Sequence, residues 1–185
     1  MRRTVAWIVA AALVAGAWAV TAFTPDDDAG ADAFTLTASI GEHVGGRNIA
    51  VTVLSVRTAH GIESESGWSA DGTWVVVDMS AEAVVSQADG LLSTATLRLG
   101  ERTFSATERG PDEMSLYRTP LVPGVPKSGS VAFEVPDDAL AESGVLRLST
   151  SSRPWGDTVI EVPVDLSRVD VAPVIEVADT GWTRP

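Results

Sequence analysis

The sequence predicts an all-β chain: an antiparallel sandwich of about eight strands, preceded by one N-terminal transmembrane or signal helix. Three observations lead there. From Phe34 onward, apolar residues recur with a period of two, the signature of strands buried on one face. Glycine, proline, serine and aspartate punctuate those runs at short intervals, as turns require. The long amphipathic crossover helices that a parallel α/β fold needs are missing from the pattern. An open or closed barrel is the alternative arrangement of the same strands.

The N-terminus carries an address. Met1-Arg2-Arg3-Thr4 is a short cationic head, and Val5 to Phe23 then runs 19 residues without a charge. As a helix that run would reach about 28 Å, close to the hydrocarbon thickness of a bilayer. Trp7 and Trp18 near its ends suit the interfaces, and the basic head stays inside while Asp26, Asp27 and Asp28 follow on the far side. The run exceeds the 7–15 apolar residues typical of a cleaved signal, so residues 1–23 read as a retained anchor. The alternative is a secreted chain, cleaved after Ala15-Gly16-Ala17 or Ala17-Trp18-Ala19. Residues 24–33, TPDDDAGADA, have linker composition; they lack the alternating oxygen ligands, the turn glycine in its required place and the terminal glutamate of a calcium loop.

The strands follow in order through residues 34–168. Phe34, Leu36, Ala38 and Ile40 alternate with polar residues, as do Ile49, Val51 and Val53. The phase then slips to Leu54 and Val56, which predicts a β-bulge. Val75, Val77, Met79, Ala81 and Ala83 form one face of the next run, and Ala95, Leu97 and Leu99 the next. Gly100-Glu101 reads as a type II′ hairpin turn, with the chain returning through Phe104 and Ala106. Val131, Phe133 and Val135 make another strand, then Leu146 and Leu148, then Ile160 to Leu166. Pro163 on the outward face of this last strand predicts a sheet edge. A short helix over Ala139–Ser143 is expected after Pro136, with Asp137 and Asp138 at its start. Residues 169–185 alternate weakly and read as a C-terminal tail, either adding a strand to a partner or folding back.

Composition narrows the function. The chain has 13 basic and 25 acidic residues, a formal charge of −12, and without Arg2 and Arg3 it has 11 basic residues against the same 25 acids. That balance repels nucleic acid, so none is expected as a partner. With no cysteine there is no disulfide, no lipoprotein-type anchor and no thiolate metal site. The only imidazoles are His43 and His60, neither in a recognisable catalytic motif, and no nucleophile elbow, S-x-x-K or H-E-x-x-H is present. No catalytic residue, metal ligand or cofactor is assigned, and the chain is not expected to be an enzyme. What remains suits contact: Trp68, Trp155 and Trp182 beside flexible glycines, and Tyr117 within residues 112–127, a segment stiffened by Pro120, Pro123 and Pro126. For Trp68 and Trp155 the favoured reading is that they cap the open ends of the sandwich.

Gly72-Thr73-Trp74-Val75-Val76-Val77-Asp78-Met79-Ser80, then Leu121-Val122-Pro123-Gly124 and Gly129-Ser130-Val131-Ala132-Phe133-Glu134-Val135-Pro136, make up a recognisable pattern. It resembles a widespread bacterial family of secreted or membrane-tethered immunoglobulin-like (telokin-like) domains of unknown function, over roughly residues 40–166. One departure is Ala83, where the family commonly has asparagine. The resemblance implies an extracytoplasmic immunoglobulin-like sandwich with no established activity. The combined expectation is a non-catalytic interaction module, single-pass in the cell membrane through residues 5–23, with its C-terminal domain outside and an envelope protein as partner. The alternative is an extracytoplasmic carrier for a small ligand or cation.

Overall fold

The computed structural model describes Trp7, Leu13, Val14, Gly16 and residues 33–183 apart from Asp89, Arg153 and Trp155. The expected membrane span over 5–23 and the linker over 24–33 therefore lie almost wholly outside the described residues. Among the described residues no helix is long and apolar enough to cross a membrane.

Two sheets form the fold. The first holds β1 (Phe34–Thr37), β5 (Thr94–Leu99), β6 (Arg102–Ser105), β8 (Ser143–Ser149) and β9 (Thr158–Asp165), in the order β1-β9-β8-β5-β6. The second is built on the hairpin of β3 (Ile49–Ser64) and β4 (Ser69–Ala83), with β7 (Lys127–Glu134) beside β4. Its margins are short: β2 (His43–Gly45), β10 (Val171–Ala172) and β11 (Ile175–Val177) run along β3, and β12 (Gly181–Trp182) runs along β7. Val51, Val53, Val75, Val77, Val131 and Phe133 of the second sheet meet Ala95, Leu97, Leu146, Leu148, Ile160 and Val162 of the first in one core. The period-two runs named these residues because one face of each strand fills that core.

Several expectations need correction. Among the described residues there are twelve strands, not about eight, because β2, β10, β11 and β12 are two or three residues long and too short to show a period. The sheets are not purely antiparallel: β1 pairs with β9, and β10 and β11 with β3, in parallel. The bulge is present, with the register shifting between Val53 and Ser55, but Leu54 is the extra residue and stands exposed. Phe34, Leu36 and Ile40 are exposed too, and only Ala38 of that run is buried. The helix expected over Ala139–Ser143 is a 3₁₀ turn over Asp137–Ala141 with no side-chain cap, since Asp137 accepts a hydrogen bond from the Thr73 hydroxyl and Ser143 already opens β8. Pro163 is exposed, yet β9 is an edge only there: β1 covers residues 158–161 and ends before the proline. The Gly100-Glu101 turn stands as read, closing the Leu99–Arg102 pair with Gly100 at φ +54°.

The outer face of the second sheet is not left to water. Trp74 and Val76 alternate with the core residues Val75 and Val77 and so point away from the core, yet both are fully buried. A second cluster covers them, made of Ala59, Ile62, Ala70, Ala132, Met114, Ile175 and Val177, with Trp68 packed against it. The described part of residues 169–185, read as a tail, thus folds back over its own sheet. It continues to hydrogen bonds from Thr180 N–H to the Glu113 carbonyl (2.6 Å) and from Thr183 N–H to the Pro126 carbonyl (2.8 Å).

One register step beyond Val76 the outer face turns polar. Asp78 lies between Ser55 of β3 and Ser130 of β7. Its carboxylate accepts hydrogen bonds from Ser55 Oγ (2.6 Å), Ser130 Oγ (2.7 Å) and the Arg57 guanidinium through Nε and Nη2 (2.7 Å each). Burial pushes this carboxyl up, but the hydrogen bonds from Arg57, Ser55 and Ser130 and the Arg57 charge outweigh it and hold the pKa below its ordinary 3.8. The group therefore stabilises the fold above that ordinary value, and the contribution is lost as pH falls through the lowered folded-state value. Asp78→Ala should cost about 2 kcal/mol in urea unfolding at neutral pH, and its gap from the parent should close as the pH is taken below 3.8.

Candidate functional site

The crossover from β6 to β7, residues 106–126, carries the most elaborated surface of the domain. It is held by β7 on one side and by the connection between β4 and β5 on the other. Thr107 N–H donates to the Ala132 carbonyl (2.8 Å) and Leu116 N–H to that of Ser130 (2.9 Å), both on β7. On the other side Arg118 N–H reaches the Leu92 carbonyl (2.9 Å) and Leu121 N–H that of Gly90 (2.8 Å). Met114, Leu116 and Leu121 are buried beneath it, Met114 in the second cluster and the two leucines in the main core. A loop pinned at both flanks and from below holds its outward residues in fixed places.

Trp68 explains how the near half is shaped. Gly110 adopts φ +97°, and a Cβ there would lie 2.7 Å from Met114 Sδ and 3.1 Å from the Trp68 ring. The tryptophan and methionine close on a glycine that has no side chain to obstruct them. Trp68, a candidate partner contact, is accordingly half-buried and packs on the second cluster; it caps the sheet instead of projecting from it.

Tyr117 and Arg118 form the crest of the far half. Arg118 has φ +59°, the only left-handed conformation outside glycine among the described residues, and for an L-residue this costs about 1 kcal/mol. Its guanidinium carbon stands 5.3 Å from the centre of the Tyr117 ring, and its Nη1 is 2.6 Å from Glu108 Oε1. A recess of about 460 Å³ opens on one side, toward Arg109 and Asp112. Another of about 480 Å³ opens on the other, walled by the hydroxyls of Ser93, Thr94, Thr96 and Ser105. Both have the size of small-ligand pockets, and Tyr117 and Arg118 border each of them.

Trp182 belongs to a different surface. It is half exposed on β12, with Lys127 Nζ 5.1 Å from its ring centre, and burial pushes the Lys127 ammonium pKa down. A groove of about 600 Å³ runs from Trp182 past Asp179 and Glu176 to Arg57, Asp78 and the bulged Leu54. The structure thus separates Tyr117, Trp68 and Trp182; Trp155 lies outside the described residues. The imidazoles are also apart: His43 of β2 shares a hydrogen bond with Thr52 Oγ1 (3.2 Å), whereas His60 lies farther along β3 at a second register shift. Among the described residues no group of three or more His, Asp or Glu is placed to hold a metal. Sequence reasoning missed Arg118 and the Asp78 network. The left-handed turn at Arg118 leaves no mark in composition, but an aspartate inside an otherwise apolar strand is a legible signal of a satisfied polar hub.

No family model matches the chain, and no curated protein matches it. Among solved structures, an uncharacterised β-sandwich protein from Clostridium difficile 630 is similar, at a TM-score of 0.49 and 12% identity, over 75% of this chain and 99% of that one.

Two substitutions separate strain that the loop requires from strain it merely carries. Gly110→Ala should destabilise the domain by about 2 kcal/mol in urea unfolding, since the new Cβ meets Met114 and the Trp68 ring in a left-handed backbone. Arg118→Gly should change stability by less than about 1 kcal/mol, because relief of the left-handed cost offsets loss of an exposed ion pair and of the contact with the Tyr117 ring.

Proposed function

We propose that the chain is a non-catalytic interaction module, tethered to the membrane by residues 5–23 and displaying an immunoglobulin-like, telokin-like domain on the extracytoplasmic side to an envelope protein. One observation supports this reading: the Tyr117–Arg118 crest, in a left-handed turn of a loop pinned to β7 and to the β4–β5 connection. Strain persists only where the surrounding structure over-determines it, and such positions cluster at functional sites. Tyrosine and arginine are also the side chains most often found at the energetic centre of protein interfaces. The charged N-terminal head, the uncharged 19-residue run and the acidic stretch behind it support the tether.

A second reading, a carrier for a small extracytoplasmic ligand, is favoured by the two recesses beside the crest, each within the volume range of such sites. The two readings differ in what the crest touches. With a C-terminally tagged full-length chain crosslinked in intact cells, the module reading predicts a stoichiometric partner. The double variant Tyr117→Ala/Arg118→Gly should weaken its capture about thirtyfold, the effect of one interface hot spot. Capture unchanged by that variant would remove the crest from the interface, and a chain that crosslinks to nothing would favour the carrier.

A further inference from the structure

The recess that opens toward Arg109 and Asp112 is walled by one stretch of chain, between residues 107 and 120, and its charges do not cancel. Glu108, Arg109, Asp112 and Arg118 line it. Arg118 turns back onto Glu108 (2.6 Å) and lies over the Tyr117 ring. Arg109 reaches out to Glu134 of β7 (2.7 Å), with its guanidinium carbon 5.5 Å from the centre of the Trp74 ring. Each guanidinium is thus matched by one carboxylate and held against one aromatic ring. Asp112 has no such match: among the described residues its carboxylate makes no hydrogen bond or ion pair.

That carboxylate is nonetheless well placed. Asp112 opens a 3₁₀ turn, Asp112–Met114, whose last residue is buried in the second cluster, so the backbone beneath it is anchored while the side chain is exposed. Beside it Pro111, Pro120 and Tyr117 supply apolar surface. The recess across the crest lacks the imbalance: apart from Arg118, which Glu108 neutralises, its lining is uncharged.

We infer that the recess takes one arginine side chain of the partner protein, its guanidinium on Asp112 and its aliphatic stem along Pro111, Pro120 and Tyr117. The inference rests on the interaction-module reading and names the chemistry of the residue the partner presents. Charge complementarity selects a cation: Glu108, Asp112 and Glu134 stand against Arg109 and Arg118 alone, in a chain of formal charge −12. The same excess of acid repels a second copy of the chain. A bare metal ion is a poor occupant, since calcium takes six or more oxygen ligands and no group of three acids or imidazoles is placed for one among the described residues. Arginine suits the site better than lysine, because a planar guanidinium meets a carboxylate through two parallel hydrogen bonds and lies flat against an aromatic ring.

The test follows backbone amide shifts by NMR in the full-length chain in detergent, titrated with the capped peptide acetyl-Gly-Arg-Gly-amide. Its control is the same peptide with citrulline, which keeps the shape of arginine and removes the charge. The expected result is saturable shifts at the Gly110, Asp112 and Tyr117 amides with the arginine peptide alone. Affinity should fall about fivefold with Asp112→Asn and be lost with Asp112→Lys. It should be unchanged by Glu176→Gln, which removes the same charge from β11, on the β3 side of the sheet. Because the Asp112 side chain bonds to nothing in the domain, both of its variants keep the fold. No saturable shift, equal shifts with citrulline, or indifference to Asp112→Lys would overturn the inference. An equal loss with Glu176→Gln would also overturn it, by reducing the effect to the charge of the whole chain. In intact cells, capture of a partner that survives Asp112→Lys but not Tyr117→Ala/Arg118→Gly would overturn the arginine contact and leave the module reading standing.

Discussion

β4 is apolar on both faces, and much of the rest of the domain answers to that fact. Trp74, Val75, Val76 and Val77 are all fully buried, two toward the other sheet and two away from it. A strand in a two-layer sandwich ordinarily gives one face to water. Here the outward pair must be covered by a further layer, and the chain has three pieces placed to do it: the C-terminal segment with Ile175 and Val177, the crossover loop with Met114, and Trp68 behind the β3–β4 turn. Each buried aliphatic side chain in such a layer contributes about 1.5–3 kcal/mol, a large share of the stability of any single domain.

The same constraint explains where the candidate contact surfaces fall. The crossover loop is rigid because its underside is part of the covering layer, so its outward residues, Tyr117 and Arg118, are held in fixed positions at a bearable conformational cost. Where the apolar stripe of β4 ends, the outer face needs a polar group that can lie beside it, and Asp78 with its three donors fills that place. The C-terminal segment then crosses near this network and forms one wall of the Trp182 groove.

The sequence made the main core legible because strand periodicity maps directly onto one buried face. Val75, Val77 and Met79, Leu97 and Leu99, and Leu146 and Leu148 are all where alternation put them. It misled at Phe34 and Leu36, whose alternation is real but lies on β1, the last strand of its sheet, where both side chains stand exposed. The second cluster was hidden for a complementary reason. Trp74-Val75-Val76-Val77 is a continuous apolar run, the mark of burial on both faces, yet its partners are single residues from distant segments such as Met114 and Val177. Residues 169–183 looked like a tail because strands of two or three residues carry no measurable period. Of the candidate site, Tyr117 and its proline-stiffened segment were visible in composition, whereas the left-handed Arg118 beside it depends on a backbone geometry that no residue type announces.

The claim that one covering layer both completes the fold and holds the recognition loop is tested most directly by Val177→Ala, followed by amide hydrogen exchange of the full-length chain. Val177 touches the layer but lies in a segment remote in sequence from the loop. The account predicts a stability loss of about 2 kcal/mol together with faster exchange at the Leu116 and Arg118 amides, beyond the change at amides of the first sheet. Faster exchange confined to residues 171–182, with the loop amides unchanged, would contradict it and make the C-terminal segment a local addition.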